Sequence, residues 1–432
     1  MEIHLLYKLY QQHPSVQTDT RRLKKGDLFF ALKGEHFNGN QFALQALEQG
    51  ASFAVIDEPL DIADSRLIKV DDVLTTLQHL AGYHRLQLDH LDQSRRLPVI
   101  AITGSNGKTT SKELMHAVLS TTYKTYTTEG NLNNHIGIPL TLLKIKPDAE
   151  IAIVEMGANH QKEIEGYCSY TRPTHGIITN CGKAHLEGFG GIEGVRKGKG
   201  ELYDHLRVNE GSAFVMWDYP YLREMSAGIR EIITYGTKEA SVTGYVENGA
   251  GFLEVRITKG PDLGLIKTNL VGEYNLPNIL LAVTIGRYFN VPEEKIKSAL
   301  EGYVPSNSRS QLIEKDSNKI ILDAYNANPT SMKAAIENFA KMEGTEKVLM
   351  LGGMMELGQE SLAEHQALID LINNYSWKNV VLVGGDFKNV SHRFIYLNSS
   401  LEAVQWLQDQ KFKNTTILVK GSRSTRMEKV LE

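Results

Sequence analysis

Cysteine is nearly missing from this chain of 432 residues: Cys168 and Cys181 form no disulfide framework, and their spacing is not the C-x-x-C of a redox pair. That usage suits a reducing compartment and predicts a cytoplasmic protein. A strong charge of one sign is also missing. The net charge of −4 argues against a general binder of nucleic acid or of anionic membranes. It leaves anionic small substrates open, because a site concentrates charge locally. No apolar run approaches the ~18 residues of a membrane span. The opening MEIHLLYKLYQQHP has neither the basic start nor the long apolar core of a signal peptide. Fixed-period repeats and low-complexity tracts are absent as well. What remains is 41% hydrophobic and 23% charged, an ordinary soluble composition. The chain is too long for one core, so two or three domains are expected. A monomer is the default expectation.

Three textures follow one another. Residues 1–94 hold short strands and helices. The polar stretch HRLQLDHLDQSRRLP (84–98) reads as a linker. Residues 95–303 alternate apolar runs with helical patterns: VIAIT, IAIVEM, HGIITN and SAFVMW, followed by the β-rich VTGYV, FLEVRI and LIKTNLVG. That alternation predicts a parallel sheet covered by helices. Residues 304–432 repeat the theme with KIILDAY, KVLMLGG, NVVLVGG and TTILVKG, which reads as a Rossmann-like domain. The fold class is therefore α/β in three domains: a small α/β unit, a central parallel-sheet unit and a C-terminal Rossmann-like unit.

Residues 103–110 read TGSNGKTT. A phosphate loop has the form G-x-x-x-x-G-K-[ST], and its first glycine would fall at position 102, where Ile102 stands. The context is nevertheless right. The apolar run LPVIAIT precedes the loop and suits a buried strand. SKELMHAVL follows, with Leu114, Ala117 and Val118 on one helical face. Gly104 and Gly107 let the backbone turn its N–H groups inward, with Ser105 and Asn106 between them, and the helix N-terminus adds positive potential. Lys108 would reach the outer phosphates of ATP, and the Thr109 hydroxyl, next to Thr110, can hold Mg²⁺. The alternative is a strand-to-helix turn with an exposed lysine.

Four further features lie at or beyond central strands. Glu155 ends IAIVEM, where a carboxylate can bind a hard cation or simply face solvent. His185, in KAHLEGFG, is a metal ligand, a phosphate contact or neither. Lys199 lies in RKGKGELY, which reads as a solvated basic helix start unless the lysine reacts with CO₂ to form a carbamate. Asn131, Asn133 and Asn134 crowd TEGNLNNHIGIPLTLL, either as polar ligand contacts or as turn formers.

Together these segments resemble the Mur ligases, ATP-dependent amide-forming enzymes of peptidoglycan assembly. That family's phosphate loop lacks the upstream glycine, so Ile102 is no defect. Folylpolyglutamate synthetases share the superfamily and a similar loop. Other stretches separate the two: DTRRLKKGDLFFALKGEHFNGNQFALQALEQGA (19–51) is similar to the family's uridine-nucleotide domain, and DAYNANPTS (323–331) to the branch that adds D-alanyl-D-alanine. EMGANHQKEI and LVKGSRSTRMEKV fit the same branch. The resemblance runs essentially end to end.

It implies transfer of the ATP γ-phosphoryl group to the carboxylate of UDP-N-acetylmuramoyl-tripeptide. The acyl phosphate would then be attacked by the amine of D-alanyl-D-alanine. It implies that Lys108 and Thr109 bind ATP and Mg²⁺, that Glu155 and His185 help hold two metal ions, and that Lys199 is carbamylated and catalytic. Asn275 and Asn278 would meet the adenine, and Arg309 and Asp323 would close over the nucleotide. Asn326 and Asn328, with Asn133 and Asn134, would lie near the active site and contact the substrates. Thr20, Arg21, Lys33 and Gly34 would lie near the uridine nucleotide. Three departures from the family pattern stand out: Asn38-Gly39-Asn40 where D-G-H is frequent, Gly353 where aspartate is frequent, and VMWDYP in place of N-x-D-D.

Overall fold

Each apolar run becomes a strand and each helical pattern the helix that covers it, and among the described residues the strands gather into three large sheets and one two-stranded hairpin. The structure, a computed structural model, describes residues 1–90, 96–306, 308–344 and 346–432. The first sheet is built from β1 (Val16–Gln17) and β2 (Leu28–Phe30), then, past a small hairpin of β3 (Lys33–Gly34) and β4 (Phe37–Asn38), β5 (Phe53–Ile56) and β6 (Leu67–Lys69). Its order is β1-β2-β5-β6, all parallel. Gly39 permits the chain to leave the hairpin, since a Cβ there would sit 2.5 Å from the Leu32 carbonyl oxygen.

The central sheet contains β7 (Val99–Thr103), β8 (Thr125–Thr127), β9 (Ile151–Glu155), β10 (His175–Ile178), β11 (Ser212–Met216) and β12 (Glu231–Gly236), followed by β13 (Val242–Asn248), β14 (Phe252–Lys259) and β15 (Leu265–Val271). The order β15-β14-β13-β12-β11-β10-β7-β9-β8 places β9 and β10 on opposite sides of β7. The winding direction reverses there, so a crevice opens at the carboxyl ends of β7, β9 and β10. The β-rich segment of the sequence is the antiparallel extension β13-β14-β15.

The third sheet contains β16 (Gln311–Lys315), β17 (Asn318–Asp323), β18 (Lys347–Gly352), β19 (Asn379–Val383), β20 (Ile395–Leu397) and β21 (Thr416–Lys420), in the order β16-β17-β21-β18-β19-β20. Only the β16–β17 pair is antiparallel. Both faces are buried: Ile320 and Leu322 enter one apolar cluster and Ile321 the other. Continuous apolar runs, not alternation, are what such strands require.

Two expectations need correction. The polar stretch 84–98 is not a linker throughout. The helix Val73–His90 runs through its first half, Arg85 is fully buried, and residues 91–95 lie outside the described residues. Arg85 donates to Asp89 Oδ1 (2.5 Å), the Thr171 carbonyl (3.2 Å) and the Leu97 carbonyl (3.2 Å). Polar composition misleads where a guanidinium finds enough acceptors to be buried. In the helix Lys108–Leu119 the buried apolar face is Leu114, Met115, Val118 and Leu119; Ala117 is only half-buried.

Candidate active site

The loop after β7 is short because its upstream end is still strand. Ile102 is fully buried and pairs with Glu155 on β9 and Ile177 on β10. The turn begins at Gly104 (φ +139°), where a Cβ would lie 2.0 Å from Thr179 Oγ1. It ends at Gly107 (φ +81°), where a Cβ would lie 2.8 Å from Asn278 Oδ1. Both positions therefore exclude a side chain as well as an ordinary backbone conformation.

The loop is tied to the segment after β10. The Ser105 N–H donates to the Asn180 carbonyl (2.9 Å) and the Asn106 N–H to Asn180 Oδ1 (3.1 Å). The Asn106 carbonyl accepts from Thr179 Oγ1 (2.6 Å) and Asn180 Nδ2 (3.1 Å). Lys108 Nζ donates to the Gly104 carbonyl at 2.6 Å. Burial pulls its pKa below the ordinary lysine value, with the Glu155 charge opposing.

Behind the loop, buried Glu155 accepts from the Thr109 hydroxyl (2.9 Å to Oε2) and from Asn133 Nδ2 (2.9 Å to Oε1). Asn133 thus acts on the carboxylate. Asn134 instead forms a turn, its Oδ1 accepting from the Ile136 and Gly137 N–H groups. Lys199 lies mid-helix in Ile192–Val208 and is 1% exposed, which overturns the solvated reading for this lysine. Its Nζ donates to the Ala158 carbonyl (2.9 Å) and sits 4.9 Å from the Phe189 ring centroid. Burial, then the charge of Lys108, lower its pKa to about 7. His185 lies in left-handed backbone (φ +53°), and its Nδ1 faces a carboxylate oxygen of Glu356.

The third sheet turns its carboxyl edge toward this crevice, and the two edges enclose a cavity of about 1030 Å³. Gly107, Lys108, Thr109, Thr110, Glu155, His185, Asn275 and Asn278 line it from the central side, and Arg309, Asp323, Asn326 and Asn328 from the third. Asn278 accepts from the Ser111 hydroxyl (2.9 Å) and donates to Asn275 Oδ1 (2.8 Å). The Arg309 guanidinium lies 3.6 Å from the Tyr325 ring centroid. Asn328 Nδ2 donates to Asn106 Oδ1 at 2.8 Å, joining the third sheet to the phosphate loop.

Several lining residues escaped the sequence reading. Lys420 pairs with Asp323 (2.6 Å), and Arg423 lies 5.6 Å from the Tyr325 ring centroid. Both fall within LVKGSRSTRMEKV. Tyr219, Tyr221 and Tyr235 line the cavity beside Cys181; the Tyr221 hydroxyl accepts from the Cys181 N–H (3.1 Å). Tyrosines at the carboxyl ends of β11 and β12 carry no motif, and only their place in the sheet identifies them.

Among the described residues, none lining this cavity comes from the first 94. Thr20 and Arg21 form a short turn in which Arg21 pairs with Asp19 (2.7 Å). Lys33, beside Gly34 in the hairpin, pairs with Asp57 (3.1 Å). The departures have local explanations. Asn40 is buried, donates to Asp57 Oδ1 (2.8 Å) and accepts from the Asp57 N–H (3.1 Å). Gly353 passes so close to Gly385 that a Cβ would lie 2.7 Å from its Cα, leaving no room for aspartate. Asp218 of VMWDYP accepts from the Thr237 N–H (2.9 Å).

Three family descriptions match the chain: "Mur ligase family, catalytic domain" over residues 14–85, "Mur ligase middle domain" over 102–286, and "Mur ligase, glutamate ligase domain" over 308–423. The chain is 34% identical to the UDP-N-acetylmuramoyl-tripeptide--D-alanyl-D-alanine ligase of Bacillus subtilis, covering 96% of this chain and 92% of that protein. Among solved structures, MurF from Acinetobacter baumannii superposes with a TM-score of 0.86 at 31% identity, covering 98% of this chain and 97% of that one. MurF ligase from Thermotoga maritima, in complex with ADP, gives 0.84 at 25% identity, covering 97% and 96%.

Proposed function

This chain belongs to the Mur ligase family, and from that premise we infer that it joins D-alanyl-D-alanine to UDP-N-acetylmuramoyl-tripeptide at the expense of ATP, through an acyl phosphate. The observation that carries the reading is the single cavity in which the phosphate loop, Glu155 and the DAYNANP segment meet.

Forming an amide from a carboxylate and an amine needs an activated carboxylate. Phosphoryl transfer demands charge neutralisation and positioning more than covalent help from the protein. Lys108 and the N–H groups opening the helix Lys108–Leu119 supply positive charge on one side of the cavity, and Arg309 and Arg423 supply it on the other. The acyl phosphate is hydrolysed by water. Contact between the two sheet edges through Asn328 and through Lys183–Glu364 (2.5 Å) narrows water's access.

The residues fit Mg²⁺. Glu155 is a buried carboxylate whose side-chain hydrogen-bond donors are one hydroxyl and one amide, and the Lys108 charge interacts with it. A hard cation matches such oxygen donors. Among the described residues no three His, Cys, Asp or Glu side chains gather as a metal-binding group, so Glu155 and Thr109 would hold the ion together with phosphate oxygens. Bound Mg²⁺ supplies charge neutralisation between phosphate and carboxylate. Lys199, with its pKa lowered to about 7, has a large neutral fraction near neutral pH. The neutral amine attacks CO₂, forms an N–C bond and releases a proton to solvent, giving a carbamate that would complete the second metal site; His185 is the remaining candidate for it.

The division 1–94, 95–303 and 304–432 assigns one sheet to each part of the reaction. Thr20, Arg21, Lys33 and Gly34 would hold the uridine nucleotide, remote from the cavity, so that the long substrate reaches in with its peptide end. Asn326 would meet the dipeptide. Among the described residues no helix is long and apolar enough to cross a membrane, and a cytoplasmic monomer suits substrates of this kind. The test is phosphate release from ATP with UDP-N-acetylmuramoyl-tripeptide, with and without D-alanyl-D-alanine. Release that needs both, with a pentapeptide product of the expected mass, supports the reading. Turnover indifferent to the dipeptide overturns it.

A further inference from the structure

The side chain of Asn328 has two jobs, and the first fixes the second. Asn328 is the N-cap of the helix Pro329–Lys341, in a capping box with Ser331. Its Oδ1 accepts from the Ser331 N–H at 2.9 Å. A backbone N–H can only donate, so the oxygen must face the helix. The Nδ2 group is thereby turned outward, and it donates to Asn106 Oδ1 at 2.8 Å. An Nδ2 can only donate too. The Asn106 carbonyl is therefore held toward Asn328, and its own Nδ2 is held on the opposite side.

That Nδ2 is buried and has no partner. It belongs to the residue that, with Ser105, lies between the two glycines of the phosphate loop, and that residue is one of those lining the cavity. A buried, unpaired amide is costly unless a ligand completes it. The main chain of Asn106 is held rigidly from behind by Thr179 and Asn180. Only the amide orientation is left for Asn328 to set. The helix that carries Asn328 is held at a second point, where Thr330 Oγ1 accepts from the Lys183 N–H (3.1 Å).

We propose that Asn328 is a positioning residue: by fixing the amide of Asn106 it turns an unpaired N–H donor toward the phosphoryl group transferred in the cavity. The phosphate loop is then fully armed only when the helix of the third sheet is docked on it. This rests on the ligase reading above and departs from the expectation that Asn328 meets the peptide substrate.

The test uses the whole enzyme. Asn328→Ser keeps an oxygen that can cap the helix but removes the outward donor. Asn328→Asp also keeps the cap and replaces the donor with an acceptor, which favours the flipped Asn106 amide. Both variants should melt close to wild type and lower kcat by about 10²-fold, the usual cost of losing one preorganised donor, with the KM for D-alanyl-D-alanine little changed. Asn106→Ala should match them, and Asn106→Ala/Asn328→Ser should be no worse than Asn106→Ala alone. Without ligands, hydrogen exchange over residues 104–110 should stay close to wild type in Asn328→Asp, because Thr179 and Asn180 hold the Asn106 main chain without Asn328. Multiplicative losses in the double variant, or a raised dipeptide KM at unchanged kcat, would overturn the proposal and make Asn328 a substrate contact. Failure of the wild-type enzyme to form the pentapeptide would instead refute the ligase reading, whatever the variants do.

Discussion

The hydroxyl of Thr109 donates to both carboxylate oxygens of Glu155, at 3.1 and 2.9 Å, across a separation of 46 residues. One group opens the helix after β7 and the other closes β9, and adjacent parallel strands bring them together. Neither residue type is unusual alone. A buried carboxylate facing a hydroxyl beside the phosphate-loop motif suits a hard cation, the role proposed above for Glu155. Glu155→Gln keeps the shape and the acceptor but removes that charge. Ligation should fall by about 10²–10³-fold while the fold persists. Steady-state rates against Mg²⁺ concentration check this, and wild-type rates in the variant would remove Glu155 from the metal site.

Lys199 gives a pH dependence of known sign. Its folded pKa is about 7, against roughly 10.4 for an unfolded lysine. Between these values the unfolded chain binds a proton that the folded chain does not, so stability rises with pH across that window. Below pH 7 both states are protonated and the slope ends. Lys199→Met should remove the rise, seen as the difference between wild-type and variant urea midpoints at pH 7, 8 and 9 in CO₂-free buffer. Parallel curves would show that the amine is not desolvated.

Gly353 and Gly385 touch backbone to backbone. Gly353→Asp would force the turn after β18 away from its neighbour, a cost of about 1–3 kcal/mol from overpacking. Urea unfolding measures it, and an unchanged midpoint would mean that the two turns are not in contact.

Lys420 is 2% exposed, and its ammonium pairs with Asp323. Lys420→Met leaves the carboxylate without its cation, which for a buried pair costs about 3–5 kcal/mol. Adding Asp323→Asn should recover part of that loss. The same unfolding experiment on three variants decides the point. A double variant as unstable as the single one would show that the loss comes from packing.

The architecture was legible because parallel strands covered on both faces leave continuous apolar runs, as in KVLMLGG and NVVLVGG. The phosphate loop was legible because its glycines are needed for reasons of local geometry. Glu155 could be placed because it ends a strand. Tyr219, Tyr221 and Tyr235 could not, since nothing local distinguishes a tyrosine that faces a cavity from one that faces a core. Arg85 reads as part of a linker for the converse reason: its acceptor Thr171 lies on a distant segment and Leu97 beyond the end of its helix, and only with both in place can it be buried.

By itself the sequence determined the order of elements, the phosphate-loop motif and the family to which the chain belongs. These follow from periodicity, from glycine conformations and from short motifs, all properties of neighbouring residues. Only the tertiary structure decided which side chains share one cavity, that Asn328 donates to the amide of Asn106, that Asn133 serves Glu155 while Asn134 forms a turn, and that Lys199 is buried, which lowers its pKa. Each of those depends on what a group faces across the fold. Burial and hydrogen-bond partners, which fix a side chain's orientation and charge, are supplied by segments tens or hundreds of residues away.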